Sequence, residues 1–194
     1  MSFRFIALMA GVCAALGLGI PAHAQNHGEV GVFADYFRVQ SIPVDMVGVG
    51  GRVSVNVHPN IALEGELAYD FDKGFGQAFD NGTGSITLQR SGLRAFHGMF
   101  GPKFQVGTGA LRAFATVKGG FVNFDVTGAG PVSGFSSAVD NLRADNVNAT
   151  FYPGVGVEAY LGPIGLRLDA GDQIYFNHGA NHNVMVTFGP HIRF

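Results

Sequence analysis

Apolar and polar residues alternate with a period of two along most of this chain, most plainly over its last eleven residues. Phe194, Ile192, Pro190, Phe188, Val186 and Val184 are apolar, and Arg193, His191, Gly189, Thr187 and Met185 stand between them. Successive side chains of an extended strand point to opposite faces. Alternation over about 10 residues therefore makes a strand with one apolar face and one polar or small face, as a wall between lipid and a polar interior requires.

The same rule predicts eight strands, at residues 29–38, 46–57, 61–71, 93–106, 111–124, 149–161, 164–176 and 184–194. The outward parity is apolar in most of them. It carries Val47, Val49, Val53, Val55 and Val57 in the second strand and Ile61, Leu63, Leu67, Tyr69 and Phe71 in the third. Phe96, Phe100, Phe104 and Val106 follow in the fourth, and Phe151, Val155, Val157 and Leu161 in the sixth. In the first strand Val30, Val32 and Tyr36 compete with Phe33 and Phe37 for the outward face. Pro102, Pro153 and Pro190 interrupt strands, since proline cannot donate to a ladder. Two of them sit in Phe-Gly-Pro at 100–102 and 188–190, which reads as a pair of bulges.

Connections alternate in length. His58-Pro59-Asn60, the turn near Thr108-Gly109, and Gly162-Pro163 are tight, whereas 39–45, 72–92, 125–148 and 177–183 are longer and rich in Gly, Ser, Asn and Asp. Short turns at one end and long loops at the other, with an even strand number, describe an antiparallel up-and-down transmembrane β-barrel. A spanning sheet must close on itself, because lipid offers no partner to an edge strand. A ten-strand barrel would need a further hairpin inside one of the long loops.

The N-terminus fits export. Arg4 precedes the apolar run Phe5 to Ile20, Pro21 breaks it, and Ala22-His23-Ala24 forms a small-x-small cleavage signature. Residues 1–24 read as a cleaved signal peptide and 25–194 as the barrel. The run is short for a helical span of about 20 residues. Val12 precedes Cys13 where a lipidation site wants a small residue, so no lipid anchor is expected there. Cleavage removes the only cysteine, leaving no thiol for a disulfide, catalysis or a metal. A formal charge of −2 and the lack of a basic stripe give no footprint for nucleic acid.

The inward parity concentrates the charge. Asp35, Glu64, Glu66, Asp70, Glu158 and Asp169 share it with Arg52, Lys103, Arg112, Lys118, Arg167 and Arg193. If Val57 faces Ile61 across the His-Pro-Asn turn, Arg52 falls opposite Glu66 and Ser54 opposite Glu64. If Gly162-Pro163 is a two-residue loop, Glu158 falls opposite Arg167. Opposed residues have Cβ atoms about 4.5–5.5 Å apart, near enough for such side chains to pair. An eight-stranded barrel is only wide enough for its side chains to fill, which points to a mostly closed, charge-paired lumen.

The signal peptide, the eight alternating segments, the hairpin from Gly48-Val49-Gly50-Gly51-Arg52 to Ala62-Leu63-Glu64-Gly65-Glu66-Leu67-Ala68-Tyr69-Asp70, and the final Phe194 carry a resemblance. The chain resembles the small OmpA/OmpX-like outer-membrane barrels, the "outer membrane protein beta-barrel" domain, over essentially all of 25–194. The resemblance implies a bacterial outer-membrane location with periplasmic termini and contact with outer-membrane lipid and lipopolysaccharide. It also implies recognition by the barrel-assembly machinery, with Phe194, Phe188 and Ile192 of the last strand as the signal. Members act as structural barrels, adhesins, proposed small pores and, in a few cases, lipid-A enzymes, so fold alone does not assign a task.

Candidate chemistry is sparse. Deacylases of this barrel size carry a His-x-Ser pair near the last strands; here that region reads Asn177-His178-Gly179-Ala180-Asn181-His182-Asn183, without serine. No catalytic residue, cofactor or metal site is expected. His178 and His182 lie in a Gly/Asn-rich loop whose spacing fixes no chelating geometry, and His97 and His191 read as hydrogen-bonding residues of the lumen. Inward Gly48, Gly50, Gly154 and Gly156 could leave gaps, giving a small, weakly selective pore as the alternative. Phe75, Phe79, Phe135 and Leu142 in the long loops could meet a surface ligand or pack on the barrel mouth.

Overall fold

The computed structural model describes residues 27–40, 44–80, 86–107, 109–128, 147–177 and 179–194. The expected signal peptide, Phe135, Leu142 and His178 lie outside them. The elements are β1 (Gly28–Val39), β2 (Val44–His58), β3 (Ile61–Asp80), β4 (Ile86–Val106), β5 (Leu111–Gly128) and β6 (Val147–Leu161). They are followed by β7 (Ile164–Asp172), β8 (Ile174–Phe176), β9 (Ala180–Asn181) and β10 (Asn183–Arg193). β8 continues the β6 pairing of β7 in the same register after a break at Gln173. β9 likewise continues β10 after a break at His182. The ten segments thus form eight staves.

Sequence neighbours pair antiparallel, β1 pairs with β10, and β5 with β6, so the sheet closes with no free edge. Closure gives every stave a hydrogen-bonded neighbour on both sides, which a wall in lipid needs. The tight connections gather at the end where β1 begins and β10 finishes. Gly162 takes φ +65° in one of them, a left-handed conformation that glycine adopts without a Cβ penalty.

Several strands are longer than the alternation predicts. β3 and β4 run on as a paired hairpin through most of 72–92, absorbing Phe75 and Phe79, and β5 reaches Gly128. That hairpin extends existing staves and adds none. A membrane strand needs only about 9–11 residues. The backbone pairing of β3 and β4 thus continues beyond the length that a lipid-facing alternation has to cover.

The Phe-Gly-Pro segments are not bulges. Gly101 and Pro102 stay in register with Glu64 and Leu63, and Gly189 and Pro190 with Arg167 and Leu166. The register shifts fall at Asn56/His58 and Asp70/Lys73 instead. In both motifs the phenylalanine faces outward and the glycine admits a close neighbouring strand. A Cβ on Gly101 would meet the Val117 carbonyl oxygen, and one on Gly189 that of Val32, both far inside contact distance. The missing proline donor confines the gap in the ladder to one side: no pairing with β5 is formed at Pro102, nor with β1 at Pro190.

The outer face is an apolar skin. Val49, Val55, Phe100, Val155, Leu166 and Phe188 are each at least half exposed, and similar residues stand on every stave. So large a contiguous apolar surface marks contact with lipid or a partner. In β1 the competition resolves with Val32 and Tyr36 outside and Phe33 and Phe37 inside. The interior divides into two zones. Toward the long loops it is apolar, with Phe37, Met46, Leu93, Met99, Phe124, Tyr175 and Met185 buried together. Toward the termini it is charged.

Candidate functional site

The charged zone is built from residues two apart on neighbouring strands, whose inward parity the skin outside enforces. Arg52 on β2 stands opposite Glu66 on β3, with Nε 2.9 Å from Oε2. Its Nη2 donates to Thr187 Oγ1 at 3.1 Å. Lys118 on β5 reaches across the lumen, placing Nζ 2.8 Å from Glu64 Oε1 and 2.7 Å from Glu66 Oε2. Glu158 and Arg167 are opposed across the β6–β7 turn, at 3.3 Å. The closer partners of Arg167 are Glu64 on β3 and Asp169, the latter at 2.7 Å from Nη2. Glu158 in turn is bridged to Glu29 by Lys103, whose Nζ lies 2.8 and 2.9 Å from the two carboxylates.

All of these groups are nearly or fully buried. An isolated charge in such surroundings is prohibitive, and each cation here answers it by touching two or more acids. Aromatic faces complete the packing: Arg52 lies 4.6 Å from the Phe33 ring and Arg167 4.0 Å from that of Phe114. Tyr152 donates to Asp169 at 2.8 Å. Tyr160 Oη sits 2.7 Å from Glu29 and 2.8 Å from Glu158 and donates to either. The result is a continuous ionic lattice tying together β1, β2, β3, β4, β5, β6 and β7.

Comparison by sequence finds no matching family model and no matching curated protein. Comparison by structure finds the attachment invasion locus protein Ail of Yersinia pestis, solved in complex with the heparin analogue sucrose octasulfate. It shares 12% identity, covers 88% of this chain and 98% of that one, and superposes with a TM-score of 0.51. Neisserial surface protein A also shares 12% identity, covering 86% of this chain and 97% of its own, with a TM-score of 0.51. The fold is that of the small outer-membrane β-barrels.

Within this outer-membrane barrel fold, the remaining residues singled out by sequence can be placed. Ser54 stands opposite Glu64 in register, but its hydroxyl makes no hydrogen bond, because Glu64 is turned toward Lys118 and Arg167. Arg112 and Arg193 line the terminal mouth half-buried, stacked on Tyr160 at 5.0 and 4.3 Å. The inward glycines leave no gap. Phe33 occupies the space a Gly50 side chain would take, Tyr152 that of Gly154 and Phe114 that of Gly156. A cavity of about 10 Å³ remains beside Glu29, Ser54 and His191, room for about one water.

Glu29 is the charged residue that alternation undervalues. It shares the parity of Asp35 and is signalled by that alone, but it stands at the strand's first residue, where parity is least trusted. Phe188 and Ile192 face outward on β10. Phe194 exchanges backbone hydrogen bonds of 3.0 Å with Gly28, and its ring covers that glycine, where a Cβ would lie 2.7 Å from Cε2. His182 is exposed at the loop end beside Asp172.

Proposed function

We propose that this chain is an integral outer-membrane protein of a Gram-negative cell, exported by cleavage after Ala24, with both barrel termini in the periplasm and a closed, charge-paired lumen. Its role is structural or surface-interacting and not enzymatic. The observation that carries this reading is the combination of an apolar skin on every stave with an interior filled by ring faces and bridged ion pairs. The small residual cavity and the filled glycine sites weigh against a conducting pore.

A non-enzymatic role is supported by the lack of a His-x-Ser pair and by a Ser54 hydroxyl that is hydrogen-bonded to no base. Lipid and lipopolysaccharide surround the skin, and the barrel-assembly machinery reads the β10 terminus. A surface ligand would meet the loop end, where exposed Arg38–Asp45 and Arg94–Asp125 pairs stand. The sulfated sugar analogue named with Ail makes polyanionic glycans the first class to try.

The location is tested by expressing the full chain and fractionating the envelope. Recovery in the outer membrane, with unboiled protein migrating faster than boiled, is the expected result. Recovery in the soluble periplasm would overturn the reading.

A further inference from the structure

Between the charged and apolar zones of the interior lie Asp35, Asp70 and His97, and no basic side chain balances them. Asp35 on β1 and Asp70 on β3 are both in register with Gly48 on β2. A Cβ on Gly48 would sit 2.7 Å from Asp70 Oδ1, so the missing side chain is what lets the second carboxylate approach the first. His97 enters from β4, its Nε2 2.8 Å from Asp35 Oδ2 and 3.6 Å from Asp70 Oδ2. One ligand atom from each residue falls within 4.8 Å of the others. All three side chains are fully buried.

The contrast with the rest of the interior is sharp. Glu29, Glu64, Glu66, Glu158 and Asp169 each touch a lysine or arginine. Among the described residues, Asp35 and Asp70 have only His97 within ion-pair distance. Neither oxygen of Asp70 accepts a hydrogen bond, and Asp35 Oδ1 and His97 Nδ1 are also without a partner. A buried carboxylate left in that state is strongly unfavourable. A neutral imidazole gives its one proton to Asp35 and leaves Asp70 with nothing.

A divalent cation satisfies both acids at once. Zinc binds imidazole nitrogen at about 2.0–2.1 Å and carboxylate oxygen at about 2.0–2.2 Å, which sets ligand atoms about 3.3 Å apart in a tetrahedral shell. The observed 2.8 and 3.6 Å lie on either side of that spacing. Two carboxylates and a neutral imidazole with a doubly charged ion make a neutral unit, suited to the dry setting under Phe37, whose ring centre is 6.0 Å from that of His97. Nitrogen in the donor set favours a zinc-like transition cation over calcium or magnesium.

We infer that Asp35, Asp70 and His97 form a buried site for a divalent transition cation of the zinc class, clamping β1, β3 and β4. Such an ion binds the folded barrel and not the unfolded chain, so it stabilises the fold by mass action.

The test is zinc binding by the folded protein in detergent, after chelator treatment and dialysis. Wild type is expected to retain one zinc per chain and to melt higher with zinc than with chelator. Asp70→Asn and His97→Gln should weaken binding by at least about tenfold. His182→Ala removes the exposed rim imidazole and should change nothing. No zinc uptake by folded wild type would overturn the site, leaving protons to neutralise the acids. Uptake lost in His182→Ala but kept in Asp70→Asn would overturn it too. Should the interior variants fail to fold, zinc-edge X-ray absorption on wild type decides: one imidazole with carboxylate oxygens supports the site, and a shell with none or several imidazoles contradicts it.

Discussion

Lys118 shows what the interior asks of a single residue. Its ammonium is fully buried yet within 2.8 Å of two carboxylates, so desolvation is answered by two charge-assisted contacts. Removing one member of such a set strands the others, and breaking a buried pair costs about 3–5 kcal/mol. Glu66→Ala should therefore unfold at lower denaturant than wild type. The same change on an Arg52→Ala background should cost less, with a coupling of about 0.5–3 kcal/mol. Strictly additive losses in urea titrations of the refolded barrel would remove Arg52–Glu66 as an interacting pair. The pair was legible in the sequence because a tight turn fixes register and register fixes neighbours. Arg167–Glu64 was not legible, since β7 and β3 share no ladder and meet only once the barrel has closed. For the same reason Ser54, placed opposite Glu64 as its register predicts, gains no hydrogen bond there: Glu64 is pulled away by cations arriving from β5 and β7.

At the scale of the strand, two faces obey different constraints. The outward parity reads directly from the sequence because lipid tolerates almost nothing but apolar side chains, whereas strand length does not, because the hairpin of β3 and β4 continues where the apolar requirement ends. An arginine placed mid-strand on the outer face, Val155→Arg, should lower stability by up to about 2–4 kcal/mol in lipid vesicles, and Ala180→Arg at the loop end by about 0–1 kcal/mol. Equal effects at the two positions, measured by urea unfolding in the same vesicles, would argue against a lipid-facing skin. A separate role, recognition during assembly, is proposed for the closing strand. Deleting Phe194 removes both its ring cover over Gly28 and the terminal aromatic of the proposed assembly signal, so pulse-labelled barrel should reach its heat-modifiable form more slowly in cells. An unchanged rate would leave Phe194 with packing alone.

For the whole molecule, the inward parity pointed to a charge-paired lumen, and the barrel stacks an apolar zone above that charged one. Phe37, Phe124 and Met185 occupy inward positions that parity assigns without regard to chemistry, and only their convergence from β1, β5 and β10 makes them a core. The two zones pack differently: the apolar one buries its side chains against one another, and the charged one fixes its side chains through shared partners. We propose that together they leave no continuous path past Phe33, Phe114 and Tyr152, whose rings fill the glycine sites. Single-channel recording on the full-length, processed barrel, shown to be folded by its migration on unheated gels, tests that closure most directly. Silence across the applied voltage range is the expected result. Steady ohmic steps from folded protein would contradict the closed lumen and turn the ion lattice into the wall of a pore.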